Sequence, residues 1–137
     1  MKIEIDQAGG DVPVTILRLE GDLDAKSYEG LIDAGREAIT AGSQHILLDM
    51  REVPYMGSSG LVAIHSLVLM LAGEEPPDPE SGWSAHHSMA ASAEAGMQQH
   101  LRVLGPVASV QRVLERTGMT RFVEVYEDET TAIAAFG

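Results

Sequence analysis

Two adjacent serines are the residues best placed to do chemistry. Ser58 and Ser59 stand between Gly57 and Gly60, directly ahead of an almost wholly apolar run from Leu61 to Ala72. A serine at the start of a helix can accept a hydrogen bond from an unpaired backbone N–H group, and an exposed serine can be phosphorylated. Because serine is among the commonest helix caps, spacing alone favours the capping role.

Ser58, His65 and Asp49 supply the residue types of a hydrolytic triad, but their spacing argues against one. His65 follows Ser58 by seven positions in the same helical pattern, which separates them by about 10 Å along the axis. A general base must lie within hydrogen-bond reach of its nucleophile. The run around the serines is also one residue too short for G-x-S-x-G, and no G-x-x-x-x-G-K-[ST] loop is present. We therefore predict no catalytic residues and no enzyme activity.

The histidines show no ligand spacing in the sequence. His86 and His87 are adjacent, so their side chains point apart in any regular structure, and the chain contains no cysteine. His65 is expected at the edge of the core. The sequence predicts no metal site and no cofactor.

The charge of the chain restricts its partners. Nine Lys and Arg against 21 Asp and Glu give a net charge of −12 over 137 residues. Nucleic acid and anionic membranes would be repelled, whereas a basic protein surface would be attracted. The N-terminus lacks the apolar segment of a signal peptide, and no apolar run reaches the roughly 20 residues of a membrane span. We expect a cytoplasmic protein without a membrane span.

Strand-like and helix-like patterns alternate along the chain. The order β-β-α-β-α-β-α-β-α predicts one α/β domain over residues 1–137, with a mixed central β-sheet of about five strands and about four helices. Asp24 or Ser27 is expected to cap the first helix. Its apolar face comprises Tyr28, Leu31, Ile32, Gly35, Ala38 and Ile39.

A change of composition interrupts this alternation. Residues Gly73 to Gln99 begin with three prolines and several acids and continue into an alanine-rich stretch. Neither half can form a core element, and the segment exceeds the usual loop length. We interpret it as an insertion or mobile loop that is either disordered or functional.

Three stretches resemble the STAS domain family. HILLDMREVPYMGSSGLVAIHSL is similar to the family's central signature, in which a strand containing an acid (Asp49 here) leads to D-S-S-G-L at a helix start. LEGDLDAKSYEGL, with Asp22 and Asp24, resembles its G-x-L-D turn into the first helix. Residues 101–133 resemble its closing half. Only the segment Gly73 to Gln99 lies outside the resemblance.

The resemblance implies a switch, because STAS proteins of this size are best known as bacterial anti-sigma factor antagonists. Ser58 would be phosphorylated by an anti-sigma factor with serine kinase activity, the unmodified form would bind that factor and free a sigma factor, and a phosphatase would reset the switch. The same resemblance leaves open a non-phosphorylated STAS subunit of a lipid-transport or stressosome-like assembly. The helix start and interface would comprise Tyr55, Met56, Gly57, Ser59, Gly60, Leu61, Asp22 and Asp24.

One position departs from the family pattern. Gly57 stands where the family usually has the aspartate before the two serines. Without that carboxylate, Ser58 is expected to cap the helix itself. Gly60 is expected to keep the backbone open to a partner, Leu61 to anchor the helix, and the loop around Tyr55 and Met56 to offer apolar contact area.

Overall fold

A five-stranded sheet organises the molecule. In the computed structural model, which describes residues 1–9, 12–73, 100–121 and 123–136, the strands lie in the order β1-β2-β3-β4-β5. β1 pairs antiparallel with β2, and every later pair is parallel. The strands are Lys2–Ala8, Val14–Glu20, Ile46–Glu52, Leu101–Leu104 and Glu124–Tyr126.

Helices cover both faces of this sheet. They are α1 (Tyr28–Thr40), α2 (Ser58–Leu71), α3 (Ala108–Arg116) and α4 (Glu129–Ala134), and a short 3-10 turn, Met119–Arg121, follows α3. Leucine, isoleucine and valine side chains of α1, α2 and α3 pack against one face in a single large core. On the other face Ala132 of α4 packs with Val14, Ile16, Leu47 and Leu104. Because strand residues alternate between faces, β2 and β3 contribute to both cores.

The predicted architecture is confirmed. The mixed five-stranded sheet and four helices appear in the described residues, and the buried face of α1 is made by Leu31, Ile32, Gly35 and Ala38. β3 runs on to Glu52, beyond its buried residues Ile46 to Met50. The last strand, β5, has three residues, and the 3-10 turn precedes it.

Two further predictions concern the insertion and the membrane. The predicted insertion, Gly73 to Gln99, lies outside the described residues except for Gly73 itself. None of the helices in the described ranges is long and apolar enough to cross a membrane.

Candidate functional site

Two loops at the carboxyl ends of β2 and β3 are joined by backbone hydrogen bonds. The Leu23 N–H group donates to the Tyr55 carbonyl oxygen over 2.9 Å, and the Gly57 N–H group donates to the Leu23 carbonyl oxygen over 3.0 Å. Leu23 thus forms an isolated parallel bridge with Met56. Since Leu23 lies between Asp22 and Asp24, this bridge places the acidic loop beside the start of α2.

Gly60 allows the packing beneath this bridge. A Cβ atom at Gly60 would stand 2.5 Å from the Met56 Cγ atom and 3.0 Å from the Leu23 Cδ2 atom. Gly60 is itself buried, so the expectation that it leaves the backbone open to a partner is wrong. Met56 is also buried and offers no contact area. Leu61 is buried, as expected of a residue that anchors the helix.

The helix that carries the serines begins without a side-chain cap. Gly57 is the N-cap residue, with extended backbone angles of φ −93° and ψ −175°, and Ser58 is the first helical residue. The expectation that Ser58 caps the helix is therefore wrong, because its backbone already has helical geometry. Ser58 is exposed and Ser59 is half-buried. Neither hydroxyl forms a hydrogen bond with another residue of the described ranges.

Tyr55 is the large apolar side chain that this site presents to solvent. Its side chain is 56% exposed. Its hydroxyl oxygen stands 3.2 Å from the place a Cβ atom at Gly57 would take. The ring therefore lies against Gly57, next to the Ser58 end of the helix.

Asp24 holds the acidic loop in shape. Its carboxylate accepts hydrogen bonds from the Lys26 N–H group over 3.0 Å and from the Ser27 hydroxyl over 3.2 Å. The bond from the Lys26 backbone is the main reason that the pKa of Asp24 is lowered. Ser27 occupies the N-cap position of α1, but its hydroxyl donates to the Asp22 carbonyl oxygen and caps no helical N–H group. Asp24 and Ser27 thus order the loop rather than cap the helix.

The three residues of the rejected triad are in different environments. His65 is fully buried in α2, so its expected place at the edge of the core is wrong, and burial lowers its pKa to about 4. Asp49 is also buried; its carboxylate accepts hydrogen bonds from Arg18 over 2.8 Å and from Arg51 over 2.9 and 3.0 Å. Burial alone would raise the pKa of Asp49, but these bonds lower it. Ser58 is exposed, whereas the other two residues are buried.

The arrangement can accept an anion on Ser58. The first N–H groups of an α-helix have no partner within the helix, and they form the positive end of its dipole. A phosphate carried by the Ser58 hydroxyl would lie at this end of α2, which is 14 residues long. Modification of Ser58 is therefore compatible with an intact fold.

Replacing Gly57 tests how much stability the protein loses because α2 has no side-chain N-cap. The extended backbone at Gly57 suits any N-cap residue, and the half-exposed Tyr55 side chain can move away from a new Cβ atom. We expect Gly57→Asp to be more stable than Gly57→Ala by about 1 kcal/mol and than the natural chain by a few tenths. Urea unfolding of the three proteins measures both differences. Equal stability of the two variants would show that the first turn of α2 gains nothing from a carboxylate cap.

Local sequence reasoning identified the serines but not the bridge between the loops. The family resemblance predicts that Asp22 and Asp24 belong to the interface, whereas the residue that joins the two loops is Leu23, which lies between them. The sequence signal for this contact is an apolar residue between two acidic residues in a turn. Such a residue is expected to be buried while its acidic neighbours stay at the surface. The contact partner, Met56, lies 33 positions further along the chain and no local pattern identifies it.

The fold and the site together define a one-domain α/β protein that presents an exposed serine at a helix N-terminus. The profile of the STAS domain family matches residues 2–73, which is more than half of the chain. The chain therefore belongs to the STAS domain family. A comparison with curated proteins finds no match.

Several solved structures share the fold. An anti-sigma factor antagonist from Mycobacterium paratuberculosis matches with a TM-score of 0.64 at 15% identity, over 98% of this chain and 94% of that chain. The anti-sigma factor antagonist SpoIIAA in its unphosphorylated form matches with a TM-score of 0.54 at 19% identity, over 97% and 96%. The phosphorylated form of SpoIIAA, a Bacillus cell fate determinant, matches with a TM-score of 0.55 at 20% identity, over 97% of each chain.

Proposed function

We propose that this protein is an anti-sigma factor antagonist whose binding to an anti-sigma factor is switched by phosphorylation of Ser58. The observation that carries the proposal is the state of that hydroxyl. Ser58 is exposed at the first position of α2, and it is neither the helix cap nor hydrogen-bonded to another described residue. A kinase can therefore reach the Ser58 hydroxyl without breaking a hydrogen bond to another described residue.

The surroundings of Ser58 suit a contact surface. The exposed Tyr55 ring lies against Gly57, and the bridge of Leu23 to Met56 holds the acidic loop of Asp22 and Asp24 beside the start of the helix. Tyrosine is one of the residue types that dominate the binding energy of protein interfaces. The acids favour a partner with basic side chains at this point.

Phosphorylation would abolish this contact while the domain stays folded. A phosphoserine carries about −1.5 to −2 charges at neutral pH. At the helix N-terminus that charge is stabilised in the free protein, whereas in a complex arranged around the uncharged Ser58 hydroxyl it would have to be stripped of water. The fold comparison supports this, because unphosphorylated and phosphorylated SpoIIAA resemble this chain almost equally, with TM-scores of 0.54 and 0.55.

A phosphorylation assay with single-serine variants tests the proposal. The protein is incubated with ATP and each anti-sigma factor kinase encoded in the same genome, and the labelled peptide is identified by mass spectrometry. We expect Ser58→Ala to lose the label and Ser59→Ala to keep it, because Ser58 is the exposed serine of the pair. Ser59→Ala is the matched control, since it removes the neighbouring hydroxyl from the same helical turn. Equal labelling of Ser58→Ala and the natural chain would overturn the assignment.

Binding of the same partner provides a second measurement. Unmodified protein should bind the anti-sigma factor, and Ser58→Glu should bind it less tightly, because the variant places a negative charge at the contact. A non-phosphorylated STAS subunit would behave differently: no kinase would label it, and an assembly or transport ATPase would co-purify with it. That outcome would favour the second function and exclude the switch.

A further inference from the structure

Two histidines lie side by side at the end of the sheet where β3 and β4 begin. His45 directly precedes β3 and His100 directly precedes β4, and the parallel register pairs the next residues, Ile46 and Leu101. The Ile46 N–H group donates to the His100 carbonyl oxygen over 2.9 Å. The Thr15 N–H group donates to the His45 carbonyl oxygen over the same distance. The sheet thus fixes the backbone of both histidines before any ligand binds.

Their rings converge through the same nitrogen atom. The Nδ1 atoms of His45 and His100 are 3.3 Å apart, and the ring centroids are 5.0 Å apart at an interplanar angle of 32°. Since each centroid lies more than 1 Å behind its Nδ1 atom, a linear N–H···N bond of that length would hold the centroids farther apart than 5.0 Å, so the bond is bent. Two imidazole nitrogens on a tetrahedral zinc ion, each about 2.0–2.1 Å from it, stand about 3.3–3.4 Å apart.

We propose that His45 and His100 form a binding site for a divalent transition-metal ion through their Nδ1 atoms. Imidazole nitrogen suits zinc, copper and nickel, whereas magnesium and calcium prefer oxygen ligands. In the described residues no group of three or more His, Asp or Glu side chains is placed to hold a metal. The two histidines therefore supply two of the metal ligands, and water molecules supply the others.

The charges around the pair determine whether its nitrogens are available. A histidine must be neutral to bind a metal. Burial, with the nearby His100 and Arg102, lowers the pKa of His45, which favours the neutral ring. Arg102, whose positive charge contributes to that shift, forms an ion pair with Glu124, which also accepts a hydrogen bond from Tyr126. The ring of Phe136, 5.4 Å from that of His45, is uncharged.

Metal binding at this place would join two strands. The pair connects the beginnings of β3 and β4, and the chain between them holds α2 and the whole segment 74–99. A ligand that binds only the folded protein stabilises it in proportion to the logarithm of its concentration. The site lies at the opposite end of β3 from Ser58, so the inference does not depend on the phosphorylation switch.

Zinc titration of the full-length protein without a histidine tag tests the proposal. We expect saturable binding of one Zn²⁺ per chain by calorimetry, together with a rise in the thermal midpoint. His45→Gln and His100→Gln should each lose this binding. His100 is exposed, so its variant is expected to fold normally, which circular dichroism verifies. The control is the double variant His86→Gln with His87→Gln. It removes two histidines that are neighbours in the sequence and lie outside the proposed site, and it should bind zinc as the natural chain does.

Three outcomes would overturn the proposal. The first is absence of saturable zinc binding by the natural chain, which would leave a hydrogen-bonded histidine pair. The second is unchanged binding in both His45→Gln and His100→Gln. The third is loss of binding in the His86 and His87 double variant, which would move the site elsewhere. Substitution with Co²⁺ adds a spectroscopic readout, since tetrahedral cobalt absorbs visible light far more strongly than octahedral cobalt.

Discussion

Gly35→Val is expected to destabilise the protein by about 3 kcal/mol, because it overfills the contact between α1 and α2. A Cβ atom at Gly35 would overlap the Leu67 Cδ2 atom and stand 3.2 Å from the Leu67 Cγ atom. Leu67 is fully buried in the main core, where close packing leaves its side chain little space into which to rotate. The two helices must instead move apart, and the movement reaches Ser58, since α2 carries both residues.

Gly30 provides a matched control on the same helix. No atom lies within 4 Å of the place a Cβ would take there, so Gly30→Val adds the same side chain to open space. Valine has a higher helix propensity than glycine, and we expect the control to be unchanged or up to about 0.5 kcal/mol more stable. Urea or guanidinium unfolding of both variants measures the difference. If the two lost equal stability, the valine side chain itself, and not the contact with Leu67, would be the cause.

The elements of this fold follow from local patterns in the sequence. The alternation in β1, the β-branched run in β2 and the apolar runs of β3 and α2 each satisfy a rule that involves only neighbouring residues. The identity of the exposed serine followed from a family motif. The strands, the helices and the candidate serine could be predicted because side-chain periodicity and motif spacing depend only on residues close together in the sequence.

The contacts that shape the site depend on distant residues. Leu23 meets Met56 and His45 meets His100 because parallel strands place the ends of separate segments together. The register between β3 and β4 decides the second contact, and 48 residues, 53 to 100, separate the two strands. The role of Gly60 follows from the first contact, since its missing side chain makes room for Leu23 and Met56. Patterns among neighbouring residues therefore cannot predict either contact.

The N-terminus of α2 shows why the cap was mistaken. Serine is a common N-cap, so the rule assigned that role to Ser58. The chain instead continues the bridge with Leu23 through the Gly57 N–H group, which fixes Gly57 as the residue before the helix. Ser58 is moved into the first turn, and its hydroxyl is left at the surface. The contact between the loops, which the sequence does not display, thus exposes the candidate phosphorylation site.

Acidification from pH 7 to pH 4 is expected to cost the protein up to about 3 kcal/mol through His65 alone. Burial lowers the pKa of His65 from its ordinary value of 6.5 to about 4. Between these two values the unfolded chain binds a proton that the folded chain does not, so stability falls as the pH falls through this window. His65→Met replaces the ring with a neutral side chain of similar length and should remove this part of the pH dependence.

The measurement is the free energy of unfolding at a series of pH values for the natural chain and His65→Met. The pKa of His45 is lowered as well, and His45→Gln measures how much this residue contributes to the pH dependence of stability. We expect that contribution to be smaller than that of His65, because the His45 ring is only partly buried. Asp49 contributes at lower pH, since hydrogen bonds from the arginines hold its pKa below 3.8 despite its burial. Identical slopes for the natural chain and His65→Met between pH 6.5 and 4 would mean that the folded protein accommodates the charged ring. Because His65 lies about two turns from Ser58 on the same helix, protonation would destabilise the element that presents the serine.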